Sequence, residues 1–232
     1  MNWLKLKNNQ DTPIGSGSAL MVPPSNLNEE GMIIMICEAP APDRKCFATM
    51  ALTGINKGVN CLSRLPHSIY GDDSGKPLTA RIYDNWQSWF QTGNRDEVSI
   101  ASTAYPDGVV TWLHAMDIKQ GTKGWLRLEE NKTISLTRGA LVRFPASYPF
   151  EEEVVMMVCD SSLGNHTLGL ITISGYHAGF NCHSSFPDST QNENATISAQ
   201  WLYDNWQHWV WQEGSPEDVW ILPDGLSGND LK

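Results

Sequence analysis

The chain has 232 residues, 41% of them hydrophobic, and its 16 basic and 26 acidic side chains leave a net charge of −10. That is too apolar for a disordered chain, and an acidic surface with no Lys/Arg cluster excludes nucleic acid and anionic membrane as natural partners, whereas a basic protein fits. The opening segment MNWLKLKNNQD lacks the apolar stretch of a signal peptide, and no apolar run is long enough to span a bilayer, so a cytoplasmic protein is expected.

The first block, WLKL from Trp3, leads to GSALMVP, ending at Pro23, and then to the unbroken apolar run MIIMIC, ending at Cys37. A run with no polar alternation fits a strand buried on both faces in the middle of a sheet. After the turn-rich EAPAPDRK, FATMALTG reads as its hairpin partner. A Gly-rich turn from Gly54 to Gly58 then leads to VNCLSRL as the next strand of an antiparallel meander. The stretch IYDNWQSWF has helical periodicity, with Thr79 as a candidate cap. Ile82, Trp86, Trp89 and Phe90 share one stripe at about 100° per residue, while Asp84 points away from it. EVSIAS follows as a returning strand.

The same series then recurs. WLRL begins at Trp125, GALVRFP ends at Pro145, and VVMMVC ends at Cys159, each 122 residues after its counterpart. LGLITISG matches FATMALTG, the turn recurs from Gly175 to Gly179, and FNCHSSF matches VNCLSRL. LYDNWQHWV follows at an offset of 120, with Thr196 or Ser198 as its cap, and EDV before Trp220 pairs with DEV before Ser99 at 121. A period this long indicates tandem domains rather than a solenoid, whose repeats run roughly 20 to 50 residues. The expected organisation is an α+β fold in two homologous domains, 1–113 and 125–232, joined by a linker at 114–124. Each domain is an antiparallel meander with one amphipathic helix on the sheet and a returning strand. A pseudo-twofold axis or a simple tandem rotation would relate them, giving a pseudo-dimeric monomer.

In the second copy Leu202, Trp206, Trp209 and Val210 form the core stripe. Trp201, His208 and Trp211 project opposite it, grouped with Asp204. Their counterparts in the first copy are Arg81, Ser88, Gln91 and Asp84, so only the second copy has an aromatic outward face. With Glu213, Glu217 and Asp218 nearby, this is the candidate partner-binding surface. The bland alternative is that the face packs against the first copy. Asp84-Asn85 and Asp204-Asn205 are read as solvated or helix-dipole residues, because neither copy supplies a matching His or second carboxylate.

Catalytic and metal signals are weak. None of the six histidines is doubled: His67, His166, His177, His183 and His208 align with Asp188, Lys45, Asn56, Leu62 and Ser88, and His114 lies in the linker. His177, Cys182 and His183 fit no standard zinc spacing, so no metal or other cofactor is expected. The doubled Gly-x-x-x-Gly lies between strands, where it cannot act as a phosphate loop. No Gly-x-Ser-x-Gly elbow occurs. Cys37 with Cys159 and Cys61 with Cys182 form equivalent sets, and Cys46 stands alone. Bridges from Cys37 to Cys61 and from Cys159 to Cys182 are conceivable, but reduced thiols are expected in a cytosol. The Asn-X-Thr triplets at Asn131, Asn165 and Asn194 are read as chance.

The series WLRL, GALVRFP, VVMMVC, LGLITISGYHAGF, ISAQWLYDNWQHWVW and EDVWIL resembles the immunity protein 45 family of bacterial polymorphic toxin systems, which include effectors of type VI secretion. The second copy carries the resemblance more fully than the first. It implies a small cytoplasmic protein that binds and neutralises a cognate toxin without catalysis of its own. A ligand- or carbohydrate-binding module using exposed Trp, and a hydrolase with a site in the second copy, are the alternatives.

Overall fold

The computed structural model describes residues 3–24, 30–38, 46–59, 64–66, 77–90, 92–101, 124–147, 152–161, 168–175, 177–179, 184–187 and 195–227. The first half contributes strands β1 (Leu4–Lys5), β2 (Ala19–Val22), β3 (Met32–Glu38), β4 (Cys46–Ala51), β5 (Arg64–Pro66) and β6 (Ser99–Ala101). They form one antiparallel sheet in the order β1-β6-β2-β3-β4-β5. The second half contributes β7 (Leu126–Arg127), β9 (Leu141–Pro145), β10 (Glu153–Asp160), β11 (Leu168–Thr172), β12 (Ser184–Ser185) and β14 (Trp220–Leu222), ordered β7-β14-β9-β10-β11-β12. Each strand therefore occupies the same place in its sheet as its counterpart. A short ladder between β8 (Ser135–Leu136) and β13 (Ile197–Ser198) is added in the second half. The fold is α+β, and the returning strand β6 or β14 inserts beside β2 or β9 instead of extending the meander.

The unbroken apolar runs are explained by what covers each face. Ile34 and Ile36 of β3 turn toward a cluster with Leu20, Ile82, Trp86 and Ile100 on the helical side. Val154, Met156 and Val158 of β10 turn toward Leu202, Trp206 and Val210. The alternate residues, Ile33, Met35 and Cys37 with Val155, Met157 and Cys159, all join a third cluster between the two sheets. The sheets thus pack on each other and the helices lie outside, so both central strands are buried on both faces. Cys37 and Cys159 are buried thiols, while Cys61 and Cys182 lie outside the described residues.

The Gly-rich turns seal the junction between the halves. Glu38 donates its backbone N–H to Gly179 O at 2.8 Å, and Asp160 donates to Gly58 O at 3.0 Å. Within each half, Gly17 donates to Ile36 O at 2.8 Å and Gly139 to Val158 O at 2.7 Å. Gly58 has φ +75° and Gly179 φ +74°. A Cβ on Gly58 would stand 2.6 Å from Val158 O and 2.7 Å from Gly139 N; on Gly179 it would stand 2.6 Å from both Ile36 O and Gly17 N. Each half inserts the same glycine against the same backbone of the other, the reciprocity a two-fold arrangement requires.

The helical stretch is interrupted in both halves: α1 (Leu78–Asp84) and α2 (Trp86–Trp89) in the first, α3 (Ala199–Asp204) and α4 (Trp206–Trp209) in the second. The break is the doubled asparagine, at φ −107° and ψ 15° for Asn85 and φ −115° and ψ 11° for Asn205. Its amide Nδ2 and backbone N–H both donate to one carbonyl, that of Arg81 or Trp201, at 2.9 to 3.0 Å. Asn holds this conformation because its short side chain bonds locally to the backbone. Thr79 is not a cap. It sits inside the first turn of α1, and its hydroxyl donates to the carbonyls of Gln10 and Thr12. Ser198 does cap α3, accepting from Trp201 N at 3.3 Å. The expected linker at 114–124 lies outside the described residues except for Gly124.

Candidate partner-binding face of the second half

The helical layer of the second half rests on Leu202, Trp206 and Val210, all buried, with Trp209 half-buried beside them. This is the stripe the periodicity gives, and Ile82 and Trp86 are buried in the same way in the first half. Trp201 is half-buried, packed edge-on against Phe186 with centroids 5.5 Å apart and tilted against Trp209 at 6.1 Å. Trp211 is also half-buried and leans on Phe144 at 6.3 Å. The two tryptophans do not stand free as one patch; each rests on a different core aromatic. Each described tryptophan is buried or half-buried.

The polar members of the predicted surface are exposed. Asp204 accepts from Gln200 Nε2 through both carboxylate oxygens at 2.8 Å, so the helix fixes its orientation. His208 packs edge-on against Trp209 at 5.4 Å. Glu213 accepts from Ser147 Oγ at 3.3 Å. Glu217 and Asp218 lie on a 3₁₀ turn, Pro216–Asp218, where Ser215 caps the chain by accepting from Glu217 N. Arg127 holds that turn to the sheet, donating to Glu217 O at 2.6 Å and lying over the Trp220 ring at 5.3 Å.

Trp211, Glu213 and Asp218 converge on a cleft of about 340 Å³ between the end of β9 and the loop after α4, lined also by Phe144, Trp206 and Gly214. The periodicity reading missed Phe144, Ser147, Trp206 and Gly214 as cleft residues. One signal was present: the offset between the halves steps from 120 at the tryptophan helix to 121 at EDV, so this loop carries one extra residue. Asp204 and His208 do not line the cleft.

Of the titratable groups on this face, Glu213 and Asp218 share the cleft. Among the described residues no group of three His, Cys, Asp or Glu could hold a metal ion. Of the sequence's zinc candidates, Cys182 and His183 lie outside the described residues. No described helix is long and apolar enough to cross a membrane.

No curated protein and no solved structure matches this chain. A family model described as Immunity protein 45 matches residues 128–221, a span that runs from the turn before β8 to Ile221 of β14 and takes in both helices and the acidic loop. Residues 128–221 of the second half are therefore similar to the immunity protein 45 family.

Proposed function

We propose that the protein is a non-catalytic immunity protein that binds a cognate bacterial toxin in the cytoplasm of the producing cell and neutralises it. The family match at residues 128–221 carries this reading. Supporting it, the matched half is the one whose helix and following loop bear half-buried aromatics edged by exposed carboxylates, at Asp204, Glu213, Glu217 and Asp218. With a net charge of −10, such a face favours a basic toxin and speeds their encounter. We infer further that residues 1–113 and 125–232 are tandem copies of one domain in a pseudo-dimeric monomer. The identical strand orders and the reciprocal glycine contacts support that inference.

The test is sibling competition in the native host. A strain lacking the gene, grown in contact with its parent, should be killed, and the gene returned on a plasmid should restore survival. Equal survival of the deleted strain under contact would remove the immunity reading.

A further inference from the structure

The 3₁₀ turns Arg95–Glu97 and Pro216–Asp218 occupy the same place in the two halves, just before the returning strand, and each is held by a basic residue of the first strand of its sheet. Lys5 Nζ donates to Glu97 O at 2.7 Å, and Arg127 donates to Glu217 O at 2.6 Å. The turns' side chains are used differently. In the first half the Tyr83 phenol donates to Asp96 at 2.6 Å, Arg95 lies over the Tyr83 ring at 4.6 Å, and Asn94 Nδ2 donates to Glu97 at 3.5 Å, so the turn's charges are answered within the same half. In the second half a proline stands in place of Arg95, and the equivalent tyrosine, Tyr203, carries Lys132 over its ring at 3.4 Å. Among the described residues nothing donates to the Glu217 or Asp218 carboxylate, and both residues are exposed.

What the second half adds lies behind the turn. Arg127, Trp220 and Arg143 are cross-strand neighbours on β7, β14 and β9. The Arg127 guanidinium lies 5.3 Å from the Trp220 ring, and that of Arg143 lies 5.7 Å from the same ring and 4.9 Å from Trp125. Glutamates close both ends, Glu129 at 3.4 Å from Arg127 Nε and Glu153 at 3.7 Å from Arg143 Nε. Arg143 is 2% exposed and Trp125 8%, so the inner end of the stack is desolvated, where attraction between a cation and a ring is strongest. The corresponding row of the first half is Lys5, Ser99 and Met21, which offers the lysine no ring to stack on. That turn folds with the lysine contact, so two guanidiniums and two indoles are more support than folding of the turn requires. Pro216 removes further freedom by fixing φ at its start.

We propose that Arg127 is a positioning residue which, backed by Trp220 and Arg143, holds the Pro216–Asp218 turn rigid so that Glu217 and Asp218 meet a basic surface of the toxin without an ordering step. This rests on the toxin-binding reading for what the turn meets, though not for the support itself. Ordering a loop at encounter subtracts from affinity, whereas a turn fixed beforehand keeps both carboxylates where the partner finds them. The first half, whose turn is answered internally, lacks the stack.

The test compares Arg127→Met, which removes cation and donor, with Arg127→Lys, which keeps a charged donor as Lys5 does, and with Lys5→Met as the first-half control. Backbone ¹⁵N relaxation is measured on the full chain. In Arg127→Met the order parameters of the Glu217 and Asp218 amides should fall from about 0.85 to below about 0.6, while Arg127→Lys and Lys5→Met leave them unchanged. Trp220→Phe, a milder change that weakens the contact between cation and ring, should shift the same amides in the same direction should Arg127→Met fail to fold. Each allele is also returned to the deleted strain under an inducible promoter, with protein levels matched by immunoblot. The dose giving half survival beside the parent should rise about tenfold for Arg127→Met and stay at the wild-type value for Arg127→Lys and Lys5→Met. Unchanged order at Glu217 and Asp218, a loosened turn with wild-type protection, or an equal loss of protection from Lys5→Met overturns the positioning role. If the deleted strain is never killed, the immunity reading fails, and the order parameters alone decide whether Arg127 holds the turn.

Discussion

Replacing Gly58 or Gly179 by alanine should separate the halves' contribution to stability from that of either half alone. The perturbation is one methyl group, and two costs add. At φ +75° an alanine in the left-handed region is strained by about 1–2 kcal/mol. Its Cβ would also stand 2.6 Å from Val158 O and 2.7 Å from Gly139 N. Those are backbone atoms within a ladder, so relief requires the sheets to move apart, and overpacking of that kind costs about 1–3 kcal/mol. The total is about 2–5 kcal/mol. For a chain of this size, at about 2–4 °C per kcal/mol, the melting temperature should fall by about 4–20 °C. Gly54→Ala is the internal control: φ is +80°, yet nothing lies within 4 Å of the added Cβ, so only the strain applies. Calorimetry of the single variants and of Gly58→Ala with Gly179→Ala measures the difference. A Gly58→Ala melting point no lower than that of Gly54→Ala would refute the interlocked junction.

Other expectations follow from the helical layer. Asn205→Ala removes the Nδ2 bond to Trp201 O and should lower stability by about 1 kcal/mol in denaturant titration while leaving protection intact, because this asparagine shapes the backbone. Trp201→Ala should cost about 2 kcal/mol or more through its lost packing on Phe186 and Trp209, with most of that restored in Trp201→Phe; wild-type stability for the alanine variant would show the ring to be free. The Tyr83 phenol donates to Asp96 at 2.6 Å, a bond that holds its pKa above the ordinary tyrosine value. Its neutral form is favoured by folding, so the contribution is present below the unfolded tyrosine pKa and is lost as pH rises through the folded one. In ultraviolet titration the difference between wild type and Tyr83→Phe should report that raised value, and Asp96→Asn should bring it down.

The sequence pattern showed the strands because their chemistry is local. MIIMIC and VVMMVC are apolar at every position, and only a strand covered on both faces needs that. The stripe through Trp86 and Trp206 was equally legible. What covers the second face was not, since the partner of β3 is β10, more than a hundred residues away, and nothing in either run names the other. Gly58 and Gly179 read as turn residues, which they are, yet their reach into the opposite half depends on tertiary placement. The contacts of the outward aromatics were not legible, because Trp201 rests on Phe186 and Trp211 on Phe144, residues of other elements.

The central claim is that the second half presents the toxin-binding face, and charge reversal in the competing host tests it most directly. Glu213, Glu217 and Asp218 are exposed, so Glu213→Lys/Glu217→Lys/Asp218→Lys should fold as the wild type does, and so should the first-half control Asp84→Lys/Glu97→Lys. Each allele is returned to the deleted strain and survival beside the parent is counted. The account predicts that the first-half allele restores survival and the second-half allele does not. Full survival with the second-half allele, or loss of survival with the first-half allele alone, would contradict it.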